Sequence, residues 1–419
     1  MLWTTYALED AQLISETDIR AQTHEPVVID ADNVRSLIEV TVAAIEELNY
    51  SILHNNGPLF REFVIKKKDS KLGEVTDLEV NVELNVGTNS YSFRTMVSLG
   101  YSEQQFDLVT DARVSLASAL NRALRESVRT SLFVEVHWRD VALHRKTYPV
   151  TLLSVDEWRD DDENRKWLPS FVLPRDPVVP QIIDRAQKYL MALQDDPTTG
   201  FDGYQSVDDP GTELPANVCI AIDQQVRAIW AALIYDTPLA YINPPPTFTD
   251  SSQRLRTPSD VLNGKRGTCI DLALLLASCL EYVEIYPTII LLQTHAFPAY
   301  WRHNVYHENF SQARTLDSTP LPSAQEAEAE MLNTRGQRFS WYFTRPDHFR
   351  EIMGEIQAGR LVPLETVSLT ARAAYGDALV DGYKNMGNKR EFDSMLDITL
   401  ARQDEQWRVT PLPILRIEV

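Results

Sequence analysis

Apolar and polar positions alternate through "LEVNVELNV", Leu78 to Val86, as they must on a strand with one face in a core and one in water. "YSFRTMVSL", "SLFVEVHW" and "TYPVTLL" continue that two-residue period up to about residue 157. The exception is "SLASALNRALRES", where Leu116, Leu120 and Leu124 recur every four residues and predict a helix across the end of the sheets. Short strands separated by turn residues predict a β-sandwich over 31–157, after a polar leader over 1–30. "DEWRDDDENRKWLPSFVLPRDPVVP" then crowds charges and prolines together, and predicts a linker or strap over 158–180.

From there the period changes. "PQIIDRAQKYLMAL" and "CIAIDQQVRAIWAALIY" are helical, and "YINPPPTFTDSSQRLRTPSD" is a long proline-rich loop. "RGTCIDLALLLASCLEYV" is apolar on every side between Asp271 and Ser278, which predicts a central buried helix starting at Thr268 or Cys269. Asp271 falls in its first turn, where a carboxylate suits the positive end of the helix dipole. After a short break, "TIILLQTHAFPAYW" is a buried strand carrying His295. The second domain therefore spans 181–419 and mixes helices with strands.

Composition limits the classes of function. A chain of 419 residues with 44% hydrophobic and 24% charged positions suits two or three globular domains. A net charge of −20 argues against direct binding of nucleic acid, and the apolar run "TIILL" is too short to cross a bilayer. Three cysteines, Cys219, Cys269 and Cys279, make no disulfide framework, and the acidic, mixed start "MLWTTYALEDAQLISETD" is not a signal peptide. A cytoplasmic protein is expected.

Free cysteines are often only small buried hydrophobes, and Cys279 inside the apolar helix fits that description. Cys269 differs, because free N–H groups at a helix start stabilise a thiolate and can hold an oxyanion. A lone histidine beside an apolar strand is more often a satisfied core residue. Following the cysteine helix in this order, however, His295 can form a thiolate–imidazolium pair supplying both nucleophile and general acid.

"RTPSDVLNGKRGTCIDLALLLASCLEYV" followed by "IYPTIILLQTHAFPAYW" resembles the core of the transglutaminase-like cysteine protease superfamily, in particular the bacterial branch found upstream of superfamily I helicase domains. "VTLLSVDEW", "QVRAIWAALIYDTPLAYINPPPTF" and "FDSMLDITLARQDEQWRVTPLP" extend the resemblance over most of 35–415. It implies an α+β protein, with an N-terminal β-sandwich followed by a transglutaminase-like (papain-like) α+β domain. Cys269 carries over as nucleophile and His295 as general acid/base. Two features depart from that branch: no helicase domain is expected after Val419, and Gln293-Thr294 stands where an acid-glycine pair belongs.

The resemblance also implies an acid that orients the histidine. Glu365 in "RLVPLETVSLT" fits the closer branch and is favoured, and Asp317 in "ARTLDSTPL" is the rival. The implied activity is a hydrolase, most simply a protease acting on a protein or peptide through an acyl-enzyme, with no metal or nucleotide cofactor. A transglutaminase, a deamidase and a non-catalytic protein-binding scaffold are the alternatives. A separate, basic protein partner is expected from the acidic surface and the missing helicase.

Three further stretches carry less. "NGKRGT" lacks the leading glycine of a phosphate loop. His303 and His307 in "HNVYHE" have metal-ligand spacing but lie in a polar context, which predicts a solvated or lid segment. "AQEAEAEMLNTR" and "HFREIMGEIQAG" predict helices that cap the site.

Overall fold

The computed structural model describes residues 29–69, 72–114, 126–205, 207–211, 214–244, 252–316, 339–344 and 346–413. The leader over 1–30, but for its last two residues, lies outside them, as do the helix of Leu116, Leu120 and Leu124 and the segment "AQEAEAEMLNTR". The fold is mixed α+β, and the chain divides into two compact units that interleave in sequence. One takes the chain up to Ile45, Pro58–Arg113 and Ser131–Pro149; the other takes Glu46–Gly57, Val114–Thr130 and Val150 onward.

The first unit is built mainly of strands. Ile38–Ala44, Phe60–Lys67 and Gln105–Asp107 form a three-stranded antiparallel sheet in that order. Val75–Val86 lies between Asn89–Leu99 and Val128–Trp138, with Val141–Leu152 beyond the latter. The alternation of "LEVNVELNV" is realised here: Leu78, Val80, Val82, Leu84 and Val86 are buried while the residues between them are not.

In the second unit, the stretch predicted as a linker or strap is packed structure. Glu157–Arg159 pairs antiparallel with Ser252–Arg254, and a 3₁₀ turn, Arg165–Phe171, buries Trp167 edge-on against Phe339, Trp341 and Trp407. The helix Val178–Gln194 follows directly and packs on Ile220–Ala231. Charges and prolines occupy this run because its tight turns need them, while its tryptophans and leucines supply the core.

The helix Cys269–Tyr282 is the hub. Every residue from Ile270 to Leu280 is buried, and each leucine so buried contributes about 1.5–3 kcal/mol. Its one hydroxyl in the core, Ser278, donates to Leu274 O and accepts from the Leu173 N–H, so nothing polar is stranded. The helix packs on a five-stranded antiparallel sheet ordered Tyr342–Phe343, Phe392–Asp397, Pro287–Leu292, His295–Trp301, Leu361–Pro363.

His303 and His307 are not solvated. They are 3% and 2% exposed, with His307 inside the helix Asn304–Leu316. His307 Nε2 lies 3.1 Å from Asp397, a fully buried carboxylate that also accepts from Trp301 Nε1 and caps the helix Ile398–Gln403 through the Leu400 N–H. The polar context misled because the partner is far along the chain. Burial lowers the His307 pKa, but the Asp397 charge and hydrogen bond outweigh it and hold it above its usual 6.5. The stabilisation this gives is complete below pH 6.5 and lost as pH rises through the raised value. His307→Gln should therefore lower the melting temperature most at acid pH and flatten its decline above pH 6.5. Parallel melting curves for the two proteins would contradict this.

Candidate active site

Three elements converge because their lengths match. Fourteen helical residues, Cys269–Tyr282, run roughly 20 Å from Cys269 at the usual rise per residue. Six extended residues, Pro287–Leu292, cover about the same distance on the way back. The two-residue turn Gln293-Thr294 then starts the next strand at His295, opposite Leu292 and beside the start of the cysteine helix. This turn is held by the neighbouring chain: the Gln293 N–H donates to Glu391 O at 2.9 Å and its side-chain amide to Arg390 O at 3.2 Å.

The third element is an edge strand. Leu361–Pro363 pairs with His295–Trp301 in the register Ala299 to Pro363, and the Leu364 N–H donates to Pro298 O at 2.9 Å. Two residues past Pro363, Glu365 comes level with Phe297, one same-face position from His295. His295 Nε2 and Glu365 Oε2 are 2.6 Å apart, with Glu365 only 7% exposed. The Cys269 thiol stands close enough to the same imidazole to favour its charged form. With Nε2 committed to the carboxylate, Nδ1 is the ring nitrogen left for the thiol. The structure thus brings Cys269, His295 and Glu365 together at one site, with His295 bonded to Glu365; Asp317 lies outside the described residues.

The charge balance follows. Burial opposes the imidazolium, but hydrogen bonds to Cys269 and Glu365, with the Glu365 charge, push the His295 pKa up to about 10. His295 is therefore cationic at neutral pH. The other two thiols are held neutral: burial and the Asp223 charge push Cys219 up to about 11, and full burial raises Cys279 further.

The start of the cysteine helix is fixed by Thr268 and Asp271, which the sequence placed there, and by Arg256 and Gln253, which it left unassigned. Thr268 is the N-cap, and with Asp271 it forms a reciprocal capping box. Asp271, fully buried, also accepts from the Arg256 backbone N–H and Nη1, both at 2.8 Å. Gln253 Nε2 donates to the Thr268 hydroxyl at 3.2 Å. At Gly267 an added Cβ would press on the Asp271 and Leu272 side chains at 3.2 Å, so glycine gives this turn its close approach. The proline-rich loop thus locks the turn that presents Cys269, which is only partly buried. Arg256 and Gln253 carry no local motif; only the buried acid at Asp271 signalled a missing cation.

Among the described residues no group of three or more His, Cys, Asp or Glu side chains could hold a metal ion, and no helix is long and apolar enough to cross a membrane. Comparison with known proteins finds no matching family model, no matching curated protein and no matching solved structure.

Proposed function

We propose that this protein is a cysteine-dependent hydrolase, most simply a protease, on a transglutaminase-like scaffold with a β-sandwich as its first unit. The observation that carries the reading is the row Cys269–His295–Glu365, with a cationic imidazole between thiol and carboxylate. In this mechanism the Cys269 thiolate attacks an amide or ester carbonyl. The Cys269 backbone N–H, at the first turn of the helix, donates to the oxyanion. His295 protonates the leaving group, held in the useful tautomer by Glu365, and water then cleaves the acyl-enzyme.

An activated ester such as p-nitrophenyl acetate tests this directly. It should acylate the peptide bearing Cys269, give a burst of product, and then turn over as water removes the acyl group. Cys269→Ala should show neither burst nor acylated peptide. Adding a primary amine separates the hydrolase from a transglutaminase, which would transfer the acyl group to the amine. Acylation spread evenly over all three cysteines would refute the reading.

A further inference from the structure

We infer that Asn385 is a positioning residue for the proposed reaction, its side-chain amide fixing the Glu365 carboxylate on His295; the inference rests on the hydrolase reading above. Three contacts from one helix face carry it. Tyr375–Asn385 lies along the segment that leads into Glu365, with Ala378, Gly382 and Asn385 at the i, i+4, i+7 spacing of a single stripe. The Ala378 carbonyl accepts the Glu365 backbone N–H at 3.0 Å. Gly382 rests on the backbone of Pro363 and Leu364, where an added Cβ would stand 2.6 Å from Pro363 O. That approach is open only to glycine. One turn further on, Asn385 Nδ2 donates to Glu365 Oε2, the oxygen that also meets His295 Nε2.

The other carboxylate oxygen, Oε1, accepts the Val367 N–H at 2.9 Å. Glu365 is therefore held at both oxygens, one by its own turn and one by the helix. A carboxylate fixed only at Oε1 can swing its second oxygen away from the imidazole. Asn385 closes off that rotation while leaving a lone pair for His295. Among the described residues, the titratable groups that act on His295 are the Cys269 thiol and the Glu365 carboxylate, so its titration reads whether that carboxylate stays in place.

The test follows the His295 ring resonances against pH in the full chain, together with the rate of Cys269 alkylation by iodoacetamide. Glu365→Gln serves as the reference for complete loss of the carboxylate charge. Asn385→Ala and Asn385→Leu both suit the last position of a helix, and leucine keeps the branched shape of asparagine. Each should lower the His295 titration by about one unit, slow Cys269 labelling near neutral pH far less than Glu365→Gln does, and change melting only slightly. An unmoved titration in both variants would mean that the amide only packs. A titration that rises would mean that it merely competes with His295 for the oxygen. Either result overturns the inference while leaving the hydrolase reading intact. If Glu365→Gln itself leaves His295 unmoved and wild-type Cys269 labels no faster than the other thiols, the reading falls and the inference with it.

Discussion

Iodoacetamide at neutral pH should alkylate Cys269 at least ~100-fold faster than Cys219 or Cys279, and His295→Ala should remove most of that lead. The thiolate is the attacking species, so the rate follows the fraction ionised and its exposure. Cys219, pushed up to about 11, is ionised to about one part in ten thousand at pH 7, and it is wholly buried. Cys279 lies higher still, in the middle of the apolar helix. Cys269 is partly exposed at the first position of that helix, beside an imidazole that stays protonated up to about pH 10. Without the imidazolium the helix start alone remains to favour the thiolate, and part of the lead should persist. Quantifying each alkylated peptide by mass spectrometry over a time course checks this. Equal rates for the three thiols would remove the basis for a nucleophile.

What could be read from the sequence was what leaves a local periodic trace. The alternation in "LEVNVELNV" is visible because one face of Val75–Val86 is buried and each side chain in turn reports its face. The cysteine helix is visible because a helix buried on every side has no polar stripe. The approach of His295 to Cys269 could be reached from order and length, since one helix and one returning strand of matched span leave few alternatives. Glu365 needed the resemblance, because "LVPLE" by itself is any short strand ending in an acid.

What stayed hidden was pairing across the chain. His307 and Asp397 each look solvated in their own surroundings, and only the fold makes them a buried pair. Arg256 lies 15 positions from Asp271, in a loop whose prolines and serines suggest little. Asn385 is the sharpest case. Nothing in "YGDALVDGYKN" announces a role, yet Gly382, a residue that costs a helix about 1 kcal/mol, marks the face that must lie against backbone. The interleaving of the two units is hidden for the same reason: Glu46–Gly57 leaves the first unit for the second on the strength of contacts such as Asn55 with Ser170 and Thr410.

Glu365→Gln should cost turnover of the activated ester between one and four orders of magnitude, roughly the range for a misoriented general acid/base, without unfolding the protein. Both carboxylate oxygens already accept hydrogen bonds, Oε1 from Val367 and Oε2 from His295 and Asn385. A glutamine must place an NH₂ on one of these sides, donor against donor. Facing His295, it forces Nε2 to become the acceptor and moves the ring proton to Nδ1, where it meets the thiol and blocks deprotonation. Facing Val367, it breaks the turn that aims the side chain. Either way the full negative charge is gone, so the upper pH limit of activity should fall from about 10 toward the ordinary histidine value of 6.5. The stability that the raised His295 pKa confers is complete below 6.5 and is lost as pH rises through about 10; in the variant that decline should shrink and shift to lower pH, with the part due to Cys269 remaining. Because His295 is 26% exposed, solvent screens the pair, and the change in melting temperature should be small beside the loss of rate. A Glu365→Gln enzyme that keeps full turnover, or keeps its upper pH limit near 10, would mean that His295 is oriented by something other than this carboxylate.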